Sequence, residues 1–469
     1  MNNCNSFSEQ ISSLKDFFKK QFNSKKIHRL ARSTKLIQRS TSKIKGLELV
    51  SALLECALDP KSSSLEKVAD VIHEKSPEVC MSKQGLSQRI NTPECTSFFK
   101  AIYKECLSTI TNKITSHIVS LTDLKRKSLF NLFSQVVVID CTEFALHHSL
   151  KESFKGSGGP LENAAAMKIC AAFDLKSNCL LNTEITDRRC PDQGLGEKIS
   201  LQNNSLAMFD LGFFSIHFLK KIQRDGSFFI SRLHGSTDLY ENESDQEPLD
   251  VGKFLHNKLK NGSIVDLKVY LGKQKLPVRL VGIKADEKSV KKRKKDYIKR
   301  CKKSKRVPSE EILERLEYGI FITNIPIEMV LAINIIKLFK LRWQIELIFK
   351  NWKSQLCIDH LPGKNVDRIQ TLILSRLISI SIIWMVSGYV KEYLEMYFDE
   401  ELSMHKSINW LKHRNRFAEI LLGRLKIVFK DFVVAAKKWL HKEKSPKKPT
   451  TKQLLDEFYH IDYQSIVYF

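Results

Sequence analysis

Ile336-Lys337-Leu338-Phe339-Lys340-Leu341-Arg342-Trp343-Gln344-Ile345-Glu346-Leu347-Ile348-Phe349-Lys350-Asn351-Trp352-Lys353 reads as a helix. At about 100° per residue, Phe339, Arg342, Glu346 and Lys353 fall within about 60° of one face. An ordinary buried stripe would be apolar there, whereas this one sets Arg, Glu and Lys among large hydrophobes. Charges on an otherwise apolar helix need partners, and a metal ion and phosphates are the natural ones.

Upstream, the pattern is that of strands. Gln135-Val136-Val137-Val138-Ile139 is a β-branched run, expected of a central buried strand, and it ends at Asp140-Cys141-Thr142, with a continuation as strand toward His148 left open. Met167 to Asp174 and Asn178 to Thr186 read as two strands joined at Lys176-Ser177. Ser205 to Phe209 is a further short strand, ending at Asp210. Phe213 to Arg224 reads as helix, Asp225-Gly226 as a turn and Ser227 to Leu233 as strand. Alternation in Ile264 to Leu271 and Leu276 to Ile283 suggests a small sheet inside an insertion, and Gly319 to Thr323 returns as strand.

The chain has 469 residues and a net charge of +25, from 77 Lys and Arg against 52 Asp and Glu. Such an excess points to a polyanion, and most directly to nucleic acid. Lys288 to Arg306 concentrates it, with 12 basic residues of 19 and one acid, Asp296. The one-sided sign favours phosphate contact over a merely solvated face. The 11 cysteines form no C-x-x-C pair, which points to reduced thiols rather than structural zinc. His147-His148 reads as incidental. Met1 to Asn5 is polar, and the apolar window Leu377 to Val386 is short enough to be a buried helix rather than a membrane span.

The N-terminal region reads as helical and basic, with an amphipathic stretch from Ser6 to Phe22 and nine Lys, Arg or His between Lys25 and Lys45. Ser64 caps a short helix to His73, and Ser82 caps a second, Lys83 to Ile90. As a helix-turn-helix, this pair would turn Lys83, Gln84, Ser87, Gln88 and Arg89 toward DNA; a plain helical hairpin is the alternative.

Asp140, Asp210 and Glu346 thus stand out as acids at two strand ends and on one charged helix face. Strand ends in an α/β sheet are where ligands bind. Three carboxylates brought together repel unless cations lie between them, and hard oxygen donors suit Mg²⁺ or Mn²⁺. Such a trio can hold two ions for phosphodiester chemistry.

The stretch Phe339-x2-Arg342-x3-Glu346-x6-Lys353 resembles the Tyr-Arg-Glu-Lys signature of the insertion-sequence-four family of DDE transposases. Thr323-Asn324-Ile325-Pro326 upstream is similar too. Asp140-Cys141-Thr142 resembles the family's first catalytic aspartate, and Asp210-Leu211-Gly212-Phe213 followed by Phe229 to Leu233 the second. The resemblance covers roughly Ser134 to Pro362. It implies an α/β fold with an RNase H-like catalytic core carrying a β-rich insertion, flanked by N-terminal and C-terminal helical regions. The corresponding divisions are an N-terminal DNA-binding region at 1–125, core at 126–233, insertion at 234–318, core again at 319–365 and a basic helical region at 366–469.

The resemblance further implies that Asp140, Asp210 and Glu346 bind two Mg²⁺ ions, or Mn²⁺, and that Arg342 and Lys353 hold DNA. Arg grips phosphate bidentately and Lys acts as a point charge. An i, i+4 salt bridge from Arg342 to Glu346 is the simpler alternative. Arg232 is a candidate phosphate contact or a structural ion-pair partner. The implied partners are double-stranded DNA, as terminal inverted repeats and target, and a second copy of the chain. The implied location is the bacterial cytoplasm, at the nucleoid and not at a membrane.

Two departures are visible: Phe339 stands where the signature has Tyr, and all five Trp lie after the insertion. Trp343 and Trp352 read as core anchors. A decayed transposase that only binds DNA, and an RNase H-like nuclease without strand transfer, are the rival readings.

Overall fold

A computed structural model describes residues 12, 14–39, 42, 44–59, 64–122, 129–157, 164–259, 264–398, 402–413, 416–421 and 423–440. The basic tail expected around Lys442 to Lys452 and the first part of the Ser6 to Phe22 stretch lie outside the described residues. The strands, in chain order, are β1 (Val136–Leu146), β2 (Ala165–Asp174), β3 (Cys179–Asp187), β4 (Leu206–Phe209), β5 (Phe228–Arg232), β6 (Leu239–Tyr240), β7 (Val265–Leu271), β8 (Leu276–Lys284) and β9 (Tyr318–Thr323). The chain forms two compact units: a sheet unit within 125–140 and 191–345, and a helical unit within 1–124, 141–190 and 346–453.

In the sheet unit the strand order is β1-β4-β5-β9-β8-β7-β6. β1, β4 and β5 are parallel, and every pairing beyond β5 is antiparallel. Val136 to Ile139 and all of β4 are buried, as strands covered on both faces must be. The β4–β5 connection contains helix Ile216–Arg224, shorter than the expected Phe213 to Arg224 because Ser215 caps it by accepting a hydrogen bond from Phe218 N at 3.0 Å. Gly226, at φ +67°, makes the turn into β5.

The insertion strands do not make a sheet of their own. β8 pairs with β9 from Arg279↔Thr323 to Lys284↔Tyr318, so the antiparallel strands extend the parallel ones. A buried ion pair fixes this edge: Arg279 grips Asp266 with Nε on Oδ1 and Nη2 on Oδ2, both at 2.7 Å. Its Nη1 donates to the carbonyl of Val330 at 2.7 Å and to that of Pro326 at 3.2 Å. β8 thereby holds the segment that leads into the signature stretch.

That stretch is not one continuous helix. Helix Ala332–Lys340 gives way to a tighter 3₁₀ turn at Leu341–Trp343, and helix Gln344–Ser354 follows. The 3₁₀ turn changes the angular step, so the single-face geometry expected of a continuous helix does not carry across Arg342.

In the helical unit, β2 and β3 form an antiparallel hairpin from Met167↔Asp187 to Asp174↔Cys179. Asp174 closes its turn by accepting hydrogen bonds from the backbone N–H groups of Lys176 and Ser177. Helix Pro93–Thr122 meets the hairpin through Tyr103, whose hydroxyl lies 2.7 Å from Thr183 Oγ1. The two short helices Leu65–Lys75 and Lys83–Ile90 are present, capped by Ser64 and Ser82 as expected. Helix Val366–Phe398 runs through the core. By length and composition its Val366–Lys391 stretch could cross a membrane, but 94% of its most apolar window is buried against protein. Ser375 and Ser381 return their hydroxyls to carbonyls four residues back, which lets polar side chains lie in that interior.

Candidate functional site

The parallel strands bring the two aspartates together by register. β1 and β4 pair from Val136↔Leu206 to Ile139↔Phe209, so Asp140 and Asp210 are the next residues on neighbouring strands. β4 and β5 pair from Leu206↔Phe228 to Met208↔Ile230, which carries the same row on to Arg232. Arg232 in turn pairs with Phe321 of β9. Adjacent strands lie about 4.8 Å apart, so two carboxylates and a guanidinium share one end of the parallel strands.

Two carboxylates so placed repel each other, and cations answer them. Arg342 Nη1 lies 3.3 Å from Asp140 Oδ2, with both side chains largely shielded from water. Arg232 keeps open surface yet sits among charges. Its guanidinium is drawn below its ordinary pKa by loss of water and by the like charges of Arg293 and Arg342, while Asp210 acts in the opposite direction. Its guanidinium carbon also lies 5.7 Å from the centre of the Phe339 ring, and Phe339 packs on Phe321 at 5.2 Å. Phe339 is therefore a buried platform beneath an arginine.

Glu346 and Lys353 belong to the helical unit. Glu346 is half-buried in the first turn of helix Gln344–Ser354. Lys353, in the last turn, donates from Nζ to the carbonyl of Glu143 at 2.9 Å. The Glu143 carboxylate takes Lys168 Nζ at 3.3 Å and Arg188 Nε at 2.8 Å. Lys168 is only 5% exposed and also donates to the Cys190 carbonyl at 2.8 Å. Glu143, three residues beyond Asp140, thus organises three cations. Its sequence gave one signal, an acid in the same strand as the first aspartate.

The remaining expected residues divide. Lys83 and Gln88 are exposed on helix Lys83–Ile90. Arg89 instead turns inward, donating to the Leu36 carbonyl at 2.6 Å and to Ser42 Oγ at 3.3 Å, and so ties two segments together. Ser87 accepts from Arg368 at 2.7 Å. Trp352 is buried as expected, but Trp343 is 55% exposed, since its position in the stretch falls on the side away from the buried Leu338, Ile345 and Phe349.

Oxygen donors on adjacent strand ends suit a hard divalent cation. Among the described residues, no three Asp, Glu, His or Cys side chains are gathered closely enough to form a ready cage. In this arrangement Arg342 supplies the positive charge at Asp140.

The model of a family described as the transposase DDE domain matches residues 131–382. The chain is 27% identical over 411 residues to the transposase for insertion sequence element IS231F of Bacillus thuringiensis subsp. israelensis, covering 82% of each protein. It is 27% identical over 392 residues to the transposase for insertion sequence element IS1151 of Clostridium perfringens, covering 79% of this chain and 80% of that protein. Among solved structures, a piggyBac transposase synaptic complex with hairpin DNA aligns with 93% of this chain and 87% of that one, at 11% identity and a TM-score of 0.40.

Proposed function

Since the chain belongs to the transposase DDE domain family, in its insertion-sequence-four branch, we propose that it is a cut-and-paste DNA transposase acting on the terminal inverted repeats of its own element. The observation that carries the reading is the row Asp140–Asp210–Arg232 on adjacent parallel strands, with Arg342 against the first aspartate. We read the parallel strands as the centre of an RNase H-like core, and Glu346 as the third acid.

Asp140, Asp210 and Glu346 would hold two Mg²⁺ or Mn²⁺ ions, which supply charge stabilisation and an activated oxygen. Arg342 would exchange Asp140 for a phosphate oxygen once that carboxylate engages a cation. Its planar fork suits phosphate, and Lys353 adds a point charge. Arg232, held over Phe339, would contact the same strand of DNA. Phe339 lacks the signature hydroxyl, so its part is to position Arg232.

In the first step a water oxygen bonds to phosphorus and the bond to the 3′ oxygen breaks, leaving a 3′-hydroxyl. In the second step that hydroxyl oxygen bonds to a target phosphorus, and the target's own 3′ oxygen leaves with a proton. Neither step needs a covalent protein intermediate. Two ends must be processed together, so the working form is a homodimer on paired ends. Lys83 and Gln88 would contribute to DNA recognition, and the protein would act in the bacterial cytoplasm at the nucleoid.

The test is divalent-metal-dependent nicking of duplexes carrying the element's ends. Asp140→Ala, Asp210→Ala and Glu346→Gln should each abolish nicking while retaining DNA binding. Nicking at wild-type rate by all three variants would overturn the catalytic assignment. Binding without nicking by the wild type would identify a decayed transposase, and nicking without joined products would identify a plain nuclease.

A further inference from the structure

We propose that helix Glu287–Lys303 is a docking track for the phosphate backbone of duplex DNA, moored at the sheet end that carries Asp140 and Asp210. The proposal rests on the transposase reading and deepens it by assigning a DNA surface outside the acidic site.

The helix has two different faces. Toward the sheet, Arg293 donates to the Tyr318 carbonyl at 3.1 Å and Lys294 Nζ meets Glu317 at 2.7 Å. Tyr297 accepts from the Ser309 backbone N–H at 3.2 Å, and Cys301 is buried. Toward solvent stand Lys288, Lys292, Lys295, Lys299 and Lys302, all exposed. Their spacing of 4, 3, 4 and 3 residues places them within about 80° of one another, in a stripe about 21 Å long. None of the five makes an ion pair with a described residue.

A solubilising helix does not need this pattern. Like charges at i, i+4 weaken a helix, and interspersed carboxylates would keep it soluble without that strain. This helix carries only Glu287 and Asp296 as acids. A row of cations with no protein counter-charge matches a ligand that is itself a row of anions. Duplex DNA offers one charge per about 1.7 Å of axis, enough to engage every lysine of the stripe.

The mooring gives the track its direction. Arg293 lies close enough to Arg232 to depress its pKa, and Arg232 stands in register with Asp210. Tyr318, which receives Arg293, opens β9 beside the end of β5. The stripe therefore starts at the aspartate end of the parallel strands, and a duplex lying on it extends away from the site of cleavage.

The experiment compares wild type with the quadruple variant Lys288→Gln, Lys292→Gln, Lys295→Gln and Lys299→Gln. Gln keeps helix propensity, and circular dichroism checks the fold. Affinity for a 60-base-pair end duplex is measured across a salt series. The slope of log K against log salt should become shallower by about 0.9 for each phosphate contact removed, and by about 2 or more in all. Affinity near 0.1 M salt should fall about eightfold per contact. The corresponding quadruple Lys→Arg variant should bind like wild type, and Lys253→Gln with Lys273→Gln, exposed elsewhere in the insertion, should change the slope by less than half as much per residue.

A quadruple Gln variant whose slope and affinity match wild type overturns the track while leaving the transposase reading intact. Failure of the wild type to bind duplex at all overturns that reading itself. Loss of binding to polyglutamate with duplex binding unchanged assigns the stripe to an acidic protein and also overturns the track.

Discussion

Asp266→Asn removes one partner of the ion pair that joins β7 and β8, and its consequence can be worked from the geometry. Arg279 makes two charge-assisted hydrogen bonds to Asp266, each at 2.7 Å, between side chains only 8% and 18% exposed. Solvent screening is therefore slight. Two such bonds contribute about 1.5–3 kcal/mol each. Breaking a buried pair by deleting one charge destabilises by about 3–5 kcal/mol, because the other charge stays buried. Amide hydrogen exchange across β7, β8 and β9 should therefore quicken by about two to four orders of magnitude, at about 1.4 kcal/mol per tenfold. The double variant Asp266→Leu with Arg279→Met removes both charges and should restore most protection in the strands. It should not restore the 325–330 segment, whose carbonyls lose the Arg279 Nη1 donor. Less than a tenfold change in Asp266→Asn, or a double variant as labile as the two single effects summed, would refute the assignment of this pair as the fastening of the insertion strands.

The Phe339 platform is tested by Phe339→Ala, which should destabilise by about 3–5 kcal/mol and lower end-DNA affinity, and by Phe339→Tyr, which should stay within about 1 kcal/mol of wild type. A double-mutant cycle with Arg232→Ala should show coupling in DNA binding; strict additivity would mean that the ring does not position the guanidinium. Burial pushes the thiols of Cys56, Cys95 and Cys106 up to about 12, from an ordinary 9.0. In the folded protein at pH 8 they stay protonated and unreactive, so maleimide should label exposed Cys80 first and reach these three only in denaturant, as read by peptide mass spectrometry. Equal labelling of Cys106 and Cys80 under native conditions would contradict that packing.

The parallel strands were legible because Val136 to Ile139 and Leu206 to Phe209 are apolar runs bounded by acids, and burial on both faces demands such runs. The register that sets Asp140 beside Asp210 was not legible, since pairing between residues 70 positions apart leaves no local mark. For the same reason the alternating strands of the insertion announced a sheet without revealing that it joins β9. The 3₁₀ turn at Leu341–Trp343 was hidden because apolar residues continue through it, so nothing in the sequence separates a tightened turn from a continuous helix. Trp343 read as a core anchor by its size, although at about 100° per residue it already lies about 140° round the helix from the buried Leu338. Arg89 looked like a DNA contact by position on a capped short helix, but its partners Leu36 and Ser42 lie about fifty residues away. Glu143 drew no notice because a strand acid has many uses, and only folding supplied Lys168, Arg188 and Lys353 around it.

The far margin of the sheet unit is a strand of two residues, Leu239–Tyr240, set against Tyr270 and Leu271. Beyond it β7 presents the exposed Lys268 rather than a long apolar border. A border so brief and so charged gives a second polypeptide little to hydrogen-bond against, and a newly made chain is thereby guarded from stacking with its siblings into fibres.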